Sequence, residues 1–323
     1  MSQVAHGREA EDQWALGLAP DRPRLIRWML ALGRFMRDKK AGGFSLVIVV
    51  TMSVLAVFGD ALAPYGRDET FRGENPHYDI NSLKPEAMNP TILSRLNSPS
   101  WNHPLGTDDR GRDLLSRLMM GAQLAMTVGV VSALIATGIG STMGIISGYF
   151  GGWFDLVVQR LVDAMIAIPG LLILLMLVQI TEPSMRTTIL ALSFGGIWGA
   201  SRVVRSAALV ERGAVHVEAA RTVGAGPVRI MARHVFPNIL SPIVVIFTIS
   251  IGGNILAESG LAFLNLGVPG PSWGQMVNLG RTHLDTKPIM SIMAGGAITV
   301  TVLAFNLLGD AIRDVTDPRQ RGA

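Results

Sequence analysis

Acid, base, Gly and Pro residues are concentrated in one short stretch, VHVEAARTVGAGPVRIMARHVFPN at residues 215–238, between long apolar segments. Glu218 and Arg221 in this stretch could bind a partner through ion pairs, or could serve as helix-capping and solvated charges. The chain has no cysteine and no Walker sequence, and no pair of catalytic groups stands out. The stretch therefore indicates binding to a partner, and we expect no enzymatic activity in this chain.

The composition of this stretch predicts two short helices. The sequence EAAR at 218–221 has high helix propensity. Gly224 can supply a left-handed C-terminal residue, and Pro227 suits the first turn of the next helix. That second helix should cover 228–234 and stop at Pro237. The resulting two-helix knob, residues 215–238, suits docking into a groove of a partner. The alternative is an ordinary interhelical loop on anionic headgroups.

The composition of the whole chain is that of a membrane protein. Of 323 residues, 49% are hydrophobic and only 16% are charged, whereas soluble domains carry about 25% charged residues. The net charge of +4 could suggest nucleic acid, but Lys and Arg follow membrane topology, as shown below. We therefore expect membrane lipid and no nucleic acid among the partners.

Six apolar segments are long enough to cross the roughly 30 Å hydrocarbon core as helices. They lie at residues 44–63, 122–148, 155–180, 187–208, 240–264 and 288–311. Strands of a membrane barrel would alternate strictly over about ten residues, which this sequence does not do. The predicted fold class is an all-α membrane protein with six transmembrane helices. A cleaved signal peptide ending at ALAP, 61–64, is the alternative for the first segment, but about forty residues precede it.

Lys and Arg predict the orientation of these helices. They are frequent before residue 44, at 202–233 and in the C-terminal tail, and few occur in the short loops on the other side. The positive-inside rule then makes both termini cytoplasmic. The predicted organisation begins with a cytoplasmic tail at 1–43, which contains an amphipathic helix (24–40), followed by a first span at 44–64 and an extracytoplasmic loop at 65–112. A five-helix domain follows at 113–312 and contains the cytoplasmic loop 209–238. A cytoplasmic tail at 313–323 ends the chain.

Five polar residues inside the spans are candidates for the transport pathway or its gate. Arg160 and Asp163 lie three residues apart and should form an ion pair on one helical face, with contact to cargo as the alternative. Glu258 should lie near the outer mouth, where it could gate the path or make a structural hydrogen bond. Asn254 and Asn306 could line the path, but interhelical hydrogen bonds explain them equally well.

No metal site is expected. His103 stands near Asp108 and Asp109, but one histidine beside two acids is a weak pattern for a metal ion. The loop 65–112 is long and polar, and by the predicted topology it lies at the mouth through which cargo must enter. We therefore hypothesise that this loop and residues 266–287 form part of a dock for a cargo-delivering protein.

The spacing from Glu218-Ala219-Ala220 through Gly224 to Pro237 resembles the EAA motif in the membrane subunits of ATP-binding-cassette (ABC) importers. Its ending, HVFP at 234–237, replaces the usual Ile-x-Leu-Pro and is similar to the dipeptide, oligopeptide and nickel permease branch. Further segments resemble that branch in order: HPLGTDDRGRDLLSRLMMGAQ (103–123), GYFGGWFD (148–155), ILAESGLAFLNLGV (255–268), SWGQM (272–276) and LAFNLLGDAIRDVTDPR (303–319). Residues 1–30 and 66–100 show no clear match.

This resemblance implies a type I importer transmembrane-domain fold in the bacterial inner membrane. It implies a second homologous permease subunit, two ATPase subunits and an extracytoplasmic substrate-binding protein as partners. This chain would hold no cofactor, since ATP and Mg belong to the ATPase subunits. The residues implied in ATPase coupling are Glu218, Ala219, Ala220, Arg221, Gly224, Ala225 and Pro237.

The cargo implied by the branch is a dipeptide or oligopeptide. Nickel complexes and oligosaccharides, which members of the branch also carry, remain alternatives. A secondary transporter would predict coupling acids near the midplane. Only Asp163 is a plausible deep acid, and the knob would be unexplained.

Overall fold

The computed structural model describes residues 40–74 and 91–316. The predicted amphipathic helix at 24–40 therefore lies, except for its last residue, outside the described residues, as does most of the C-terminal tail. The chain is divided after Phe44 into two units, and of the first only residues 40–44, at the beginning of the first helix, are described. All contacts discussed below belong to the second unit, which starts at Ser45.

Helices make up most of the described chain. They are α1 (Lys40–Leu62), α2 (Leu114–Phe150), α3 (Gly152–Ala167), α4 (Gly170–Ile180), α5 (Met185–Arg212), α6 (Val215–Thr222), α7 (Pro227–Ile230), α8 (Phe236–Asn238), α9 (Leu240–Phe263), α10 (Trp273–Arg281) and α11 (Ile289–Thr316), with a π-helical turn at Met231–Val235. Five of them, α1, α2, α5, α9 and α11, are long and apolar enough to cross a membrane.

The span predicted at 155–180 is not a single helix, because α3 and α4 are bent by 80° at a break between them. Ile168, which precedes Pro169, has extended backbone angles, with φ −83° and ψ 125°. A proline ring disfavours the helical conformation of the residue before it, so a straight helix cannot pass this point. The described residues therefore contain five candidate spans, or six if the bent pair counts as one.

The longest helix, α2, begins at Leu114, earlier than the predicted residue 122. Its 37 residues extend for about 55 Å, well beyond the hydrocarbon core. Asp113 caps its first turn by accepting a hydrogen bond from the backbone N–H of Ser116 at 2.8 Å. This charged cap begins the helix before the apolar run that the prediction relied on.

Helices α2 and α5 pack closely through small residues of α2. A Cβ added to Gly140 would lie 2.6 Å from the carbonyl oxygen of Ile197, and one added to Gly144 would lie 2.6 Å from that of Ser201. Both distances are shorter than van der Waals contact. The glycines therefore let the two backbones approach, as small residues at four-residue spacing do in membranes.

The regions predicted as loops contain additional structure. Within 65–112, β1 (Arg72–Glu74) and β2 (Thr91–Leu93) pair antiparallel, with Arg72 opposite Leu93. Within 266–287, α10 packs on α9 and α11, and Trp273 donates a hydrogen bond to the carbonyl of Leu118 at 2.9 Å. The fold is thus mainly helical but includes a small two-stranded sheet, which the all-α prediction lacked.

Candidate coupling surface and charged residues of the spans

The knob begins with α6 and the turn that ends it. Gly224 has φ +83°, the left-handed conformation predicted for it. Its N–H donates to the carbonyl of Arg221, and the N–H of Ala225 donates to that of Ala220, both at 3.0 Å. These two bonds form a Schellman motif, which satisfies the last carbonyls of α6 and reverses the chain.

The second part of the knob runs further than predicted. Pro227 begins α7, which continues through the π-helical turn into α8. The expectation that Pro237 ends this helix is wrong, since Pro237 lies inside α8. The N–H of Phe236 bonds to the carbonyl of Met231 in the wider π pattern. Pro237 stands in the first turn of α8, where a missing N–H is tolerated.

An apolar inner face holds the knob against the ends of α2 and α5. The buried residues of this contact are Val217, Ala220, Ile230 and Val235 in the knob, Ile145 and Tyr149 in α2, and Val204 and Ala208 in α5. Close-packed contacts of this kind transmit displacement, because protein interiors have low compressibility. Motion of the knob would therefore be transmitted to two membrane helices.

Polar contacts reinforce this attachment. The side-chain amide of Asn238 donates to Glu211 at 2.8 Å and to the carbonyl of His234 at 2.9 Å. The Nε2 atom of His216 lies 2.9 Å from the same Glu211 carboxylate. The end of α5, the start of α6 and the end of α8 are thus joined at one point. This cluster could not be predicted from the sequence, because its members are up to 27 residues apart.

The outer face of the knob is exposed and partly apolar. Val215, Val223 and Val228 are 82%, 84% and 75% exposed. The outer face of this polar segment therefore offers three large apolar side chains to a protein partner. These valines could not be assigned to the surface by spacing alone, since Val223 follows the buried positions 217 and 220 at a helical interval and is nevertheless exposed. The offset of Val215, two residues before Val217, is the one signal of exposure in the sequence.

The predicted coupling residues are divided between the two faces. Glu218, Ala219, Arg221, Gly224 and Pro237 are exposed, whereas Ala220 is buried and Ala225 is partly buried. Arg221 is also placed over the ring of Tyr149 in α2. The exposed members can meet a partner, and the two alanines hold the knob in shape.

The predicted ion pair between Arg160 and Asp163 is wrong. The carboxylate of Asp163 is bound by the guanidinium of Arg202 in α5, and both side chains are about half exposed. Arg160 is exposed and makes no hydrogen bond or ion pair among the residues that the structure describes. Asp163 thus pairs with Arg202 of the neighbouring helix and not with Arg160 of its own helix. Residue spacing within α3 could not indicate this pairing.

A second interhelical ion pair was not predicted. Asp155 in α3 accepts hydrogen bonds from Arg205 in α5 and from Ser147 in α2. Its side chain is 11% exposed and that of Arg205 is 27% exposed. Three helices therefore meet at one mostly buried carboxylate.

The remaining pathway candidates lie at helix contacts. Glu258 is completely buried and accepts a hydrogen bond from Ser272 at 3.1 Å. Asn254 is partly buried, with its amide 3.5 Å from the carbonyl of Gly129. Asn306 is partly buried in α11, and its side-chain oxygen would lie 3.6 Å from a Cβ on Gly252. A role in the transport pathway stays a prediction for all three.

The loop 65–112 is fastened to the start of α2. The Nδ1 atom of His103 lies 2.9 Å from the carboxylate of Asp113, and the ring of His103 packs near Tyr65 and Phe71. In residues 40–74 and 91–316, no group of three or more metal-binding side chains is present. Trp101 projects from this loop and is fully exposed.

Two protein families match the sequence. The family described as "Binding-protein-dependent transport system inner membrane component" matches residues 140–322, more than half of the chain. The family described as "N-terminal TM domain of oligopeptide transport permease C" matches residues 27–85. The similarity thus includes residues 66–85, where the motifs alone gave no clear match.

Individual proteins agree with these matches. The glutathione transport system permease protein GsiD of Pectobacterium atrosepticum is 35% identical over 319 residues, which cover 98% of this chain and 99% of that protein. GsiD of Escherichia coli O6:K15:H31 is 34% identical over 305 residues and covers 94% of each chain.

A solved structure supports the fold. A chain of the MetNI methionine ABC transporter, in an inward-facing conformation, gives a TM-score of 0.54 at 20% identity and covers 62% of this chain and 97% of that chain. This likeness shows a shared transmembrane fold. With the two family matches and the full-length relatives, it establishes that the chain belongs to the permease subunits of binding-protein-dependent ABC importers, in the oligopeptide branch, and is a multi-pass protein of the bacterial inner membrane.

Proposed function

We propose that this chain forms half of a peptide-translocating pathway and couples it to separate ATPase subunits through the knob. A second homologous permease subunit completes the pathway, and an extracytoplasmic binding protein delivers the cargo. ATP and Mg bind to the ATPase subunits, and this chain has no cofactor of its own. The observation that carries the proposal is a knob with an exposed outer face and an inner face packed on α2 and α5.

The knob supplies the link that such an importer requires. When the ATPase subunits close on ATP, a helix docked in them must move with them. The inner face of the knob contacts two membrane helices, so that this movement would reach the spans. The spans then re-pack between two arrangements, as bistable packed assemblies do.

Peptides are the proposed cargo class. The relatives at 35% and 34% identity over nearly the whole chain are permeases of glutathione, a tripeptide. The second family match is to an oligopeptide permease domain at residues 27–85. The nickel and oligosaccharide alternatives have no comparable support from these relatives.

Gly224 allows a direct test of the coupling surface. A side chain added there would meet no atom within 4 Å, but φ is +83°. Asparagine tolerates this conformation and valine does not. In proteoliposomes containing the assembled importer, we expect both Gly224→Asn and Gly224→Val to lower peptide uptake per ATP hydrolysed, since both add bulk to the docking surface.

The two variants distinguish contact from conformation. If Gly224→Asn transports as the wild type does while Gly224→Val fails, Gly224 only shapes the turn, and the docking role of its surface is wrong. The amount of each variant inserted in the membrane, measured by fluorescence-detected size exclusion, is the control for folding.

A further inference from the structure

The inward face of α3 is fully occupied by contacts within this chain. Asp155 is bound by Ser147 and Arg205, and the amide of Gln159 donates to the Ser147 hydroxyl at 3.3 Å. Val162, seven residues after Asp155, is completely buried. Because these positions recur at helical spacing, one side of α3 is bound to α2 and α5.

The opposite side of α3, here called the α3 outer face, includes Trp153, Leu156, Val157 and Arg160, and Asp163 lies at its edge, where it reaches Arg202 of α5. Trp153 and Leu156 are 79% and 55% exposed, and both lie on the helical face that contains Arg160. Arg160 lies eight residues into α3, about 12 Å from its start. Exposed apolar side chains therefore separate it from that end of the helix.

Asp163 does not neutralise Arg160. Its carboxylate is bound by Arg202 of α5, so Arg160 has no ion-pair partner among the residues that the structure describes. The α3 outer face therefore has one uncompensated positive charge among the residues that the structure describes. Charged residues in membrane spans usually pair with one another or with backbone carbonyls, and they rarely face lipid.

We propose that the second permease subunit packs on the α3 outer face and presents a carboxylate to Arg160. This inference rests on the proposed function, which supplies the second subunit. Two features favour a protein over lipid as the occupant. Tryptophan and arginine are the residues most enriched in the energetic centres of protein interfaces. A lipid phosphate at the end of α3 would be separated from Arg160 by the apolar side chains of Leu156 and Val157.

The natural absence of cysteine allows this contact to be mapped directly. Arg160→Cys introduces a single thiol, which is labelled with benzophenone maleimide in the purified importer and irradiated. We expect the main cross-linked product to be the second permease subunit, identified by mass spectrometry. Val162→Cys, on the buried side of the same helix, is the matched control and should give no adduct with another subunit.

A charge series tests the carboxylate. Arg160→Lys should retain the second subunit during purification. Arg160→Glu should reduce the retained amount about tenfold or more, because like charges across an interface are strongly unfavourable. Size exclusion of the isolated tagged chain checks that Arg160→Glu still folds.

Several results would overturn the inference. In one, position 160 forms adducts with phospholipid, cargo peptide or the ATPase subunits and none with the second permease subunit. This result would assign the α3 outer face to another occupant. Full retention of the second subunit by Arg160→Glu would exclude the ion pair. If the wild-type complex contains no second permease subunit, the proposed function itself fails, and this is known before any variant is made.

Discussion

The guanidinium carbon of Arg221 lies 5.2 Å from the centre of the Tyr149 ring, so the first helix of the knob rests on the last turn of α2. The other end of α2 is capped by Asp113, whose carboxylate also contacts His103 in the loop 65–112. A single helix of 37 residues, long enough to cross a membrane, therefore joins the loop 65–112 at one end to the knob at the other.

Replacing Tyr149 should weaken coupling without removing the subunit from the membrane. Tyr149→Leu loses the cation–π contact with Arg221, whereas Tyr149→Phe keeps an aromatic ring beneath it. A contact of about 0.5–1 kcal/mol corresponds to a roughly two- to fivefold change. We expect uptake per ATP hydrolysed to fall by this factor in Tyr149→Leu and to stay unchanged in Tyr149→Phe. Equal effects of both substitutions would show that the ring contact is irrelevant.

The two acids of α3 should differ in their contribution to stability. Asp155→Asn leaves Arg205 without its carboxylate at a mostly buried site, which costs about 3 kcal/mol or more. Asp163→Asn removes a half-exposed ion pair with Arg202, which costs about 1 kcal/mol or less. Thermal unfolding of the purified complex should therefore shift by several degrees for Asp155→Asn and little for Asp163→Asn. The reverse order would contradict the assigned pairing.

Trp101 should contribute to docking of the binding protein. Its side chain is fully exposed, while the adjacent turn is fixed by a 2.8 Å bond from the N–H of Ser100 to the carbonyl of His103. Truncating a tryptophan at an interface centre costs about 2 kcal/mol or more, or more than about tenfold in affinity. We expect Trp101→Ala to raise by this factor the binding-protein concentration that half-stimulates ATP hydrolysis.

The basal ATPase rate provides the control for Trp101. It should be unchanged in Trp101→Ala, because Trp101 precedes the start of α2, whereas the knob packs on the last turn of that helix. Unaltered stimulation by the binding protein would show that this part of the loop 65–112 is not a docking surface.

Glu258 should act through its hydrogen bond and not through its charge. Its carboxylate is completely buried and bonded to Ser272, which precedes α10. Glu258→Gln keeps the acceptor oxygen, so we expect uptake within about twofold of the wild type. Glu258→Ala leaves the Ser272 hydroxyl without its partner, at a cost of about 1–3 kcal/mol. A transport defect in Glu258→Gln as severe as in Glu258→Ala would favour a gating charge.

The spans and the turn of the knob could be predicted because they depend on local sequence. Long apolar runs must be helical in lipid. A glycine that follows a short polar helix predicts the left-handed conformation found at Gly224. The break at Pro169 was also a local signal, but the apolar runs on either side of it were read as one helix.

The side-chain pairs of the spans could not be predicted, because they depend on how helices pack. Spacing within α3 indicated a pair between Arg160 and Asp163, yet Arg202 on α5 binds Asp163. The small sheet was missed for a similar reason, since β1 and β2 have three residues each and are separated in the sequence. Pairing over such distances is determined by the tertiary fold.

Docking of the ATPase on the outer face of the knob is the central claim, and cross-linking from Val223 tests it most directly. Val223 is exposed and adjacent to Gly224, and Val223→Cys provides the only thiol in this chain. With benzophenone maleimide on the purified importer, we predict an adduct with an ATPase subunit whose yield changes when ATP is added. Val217→Cys, buried on the inner face, should give none. An importer that hydrolyses ATP and transports normally, yet shows no ATPase adduct from position 223 in any nucleotide state, would contradict the account.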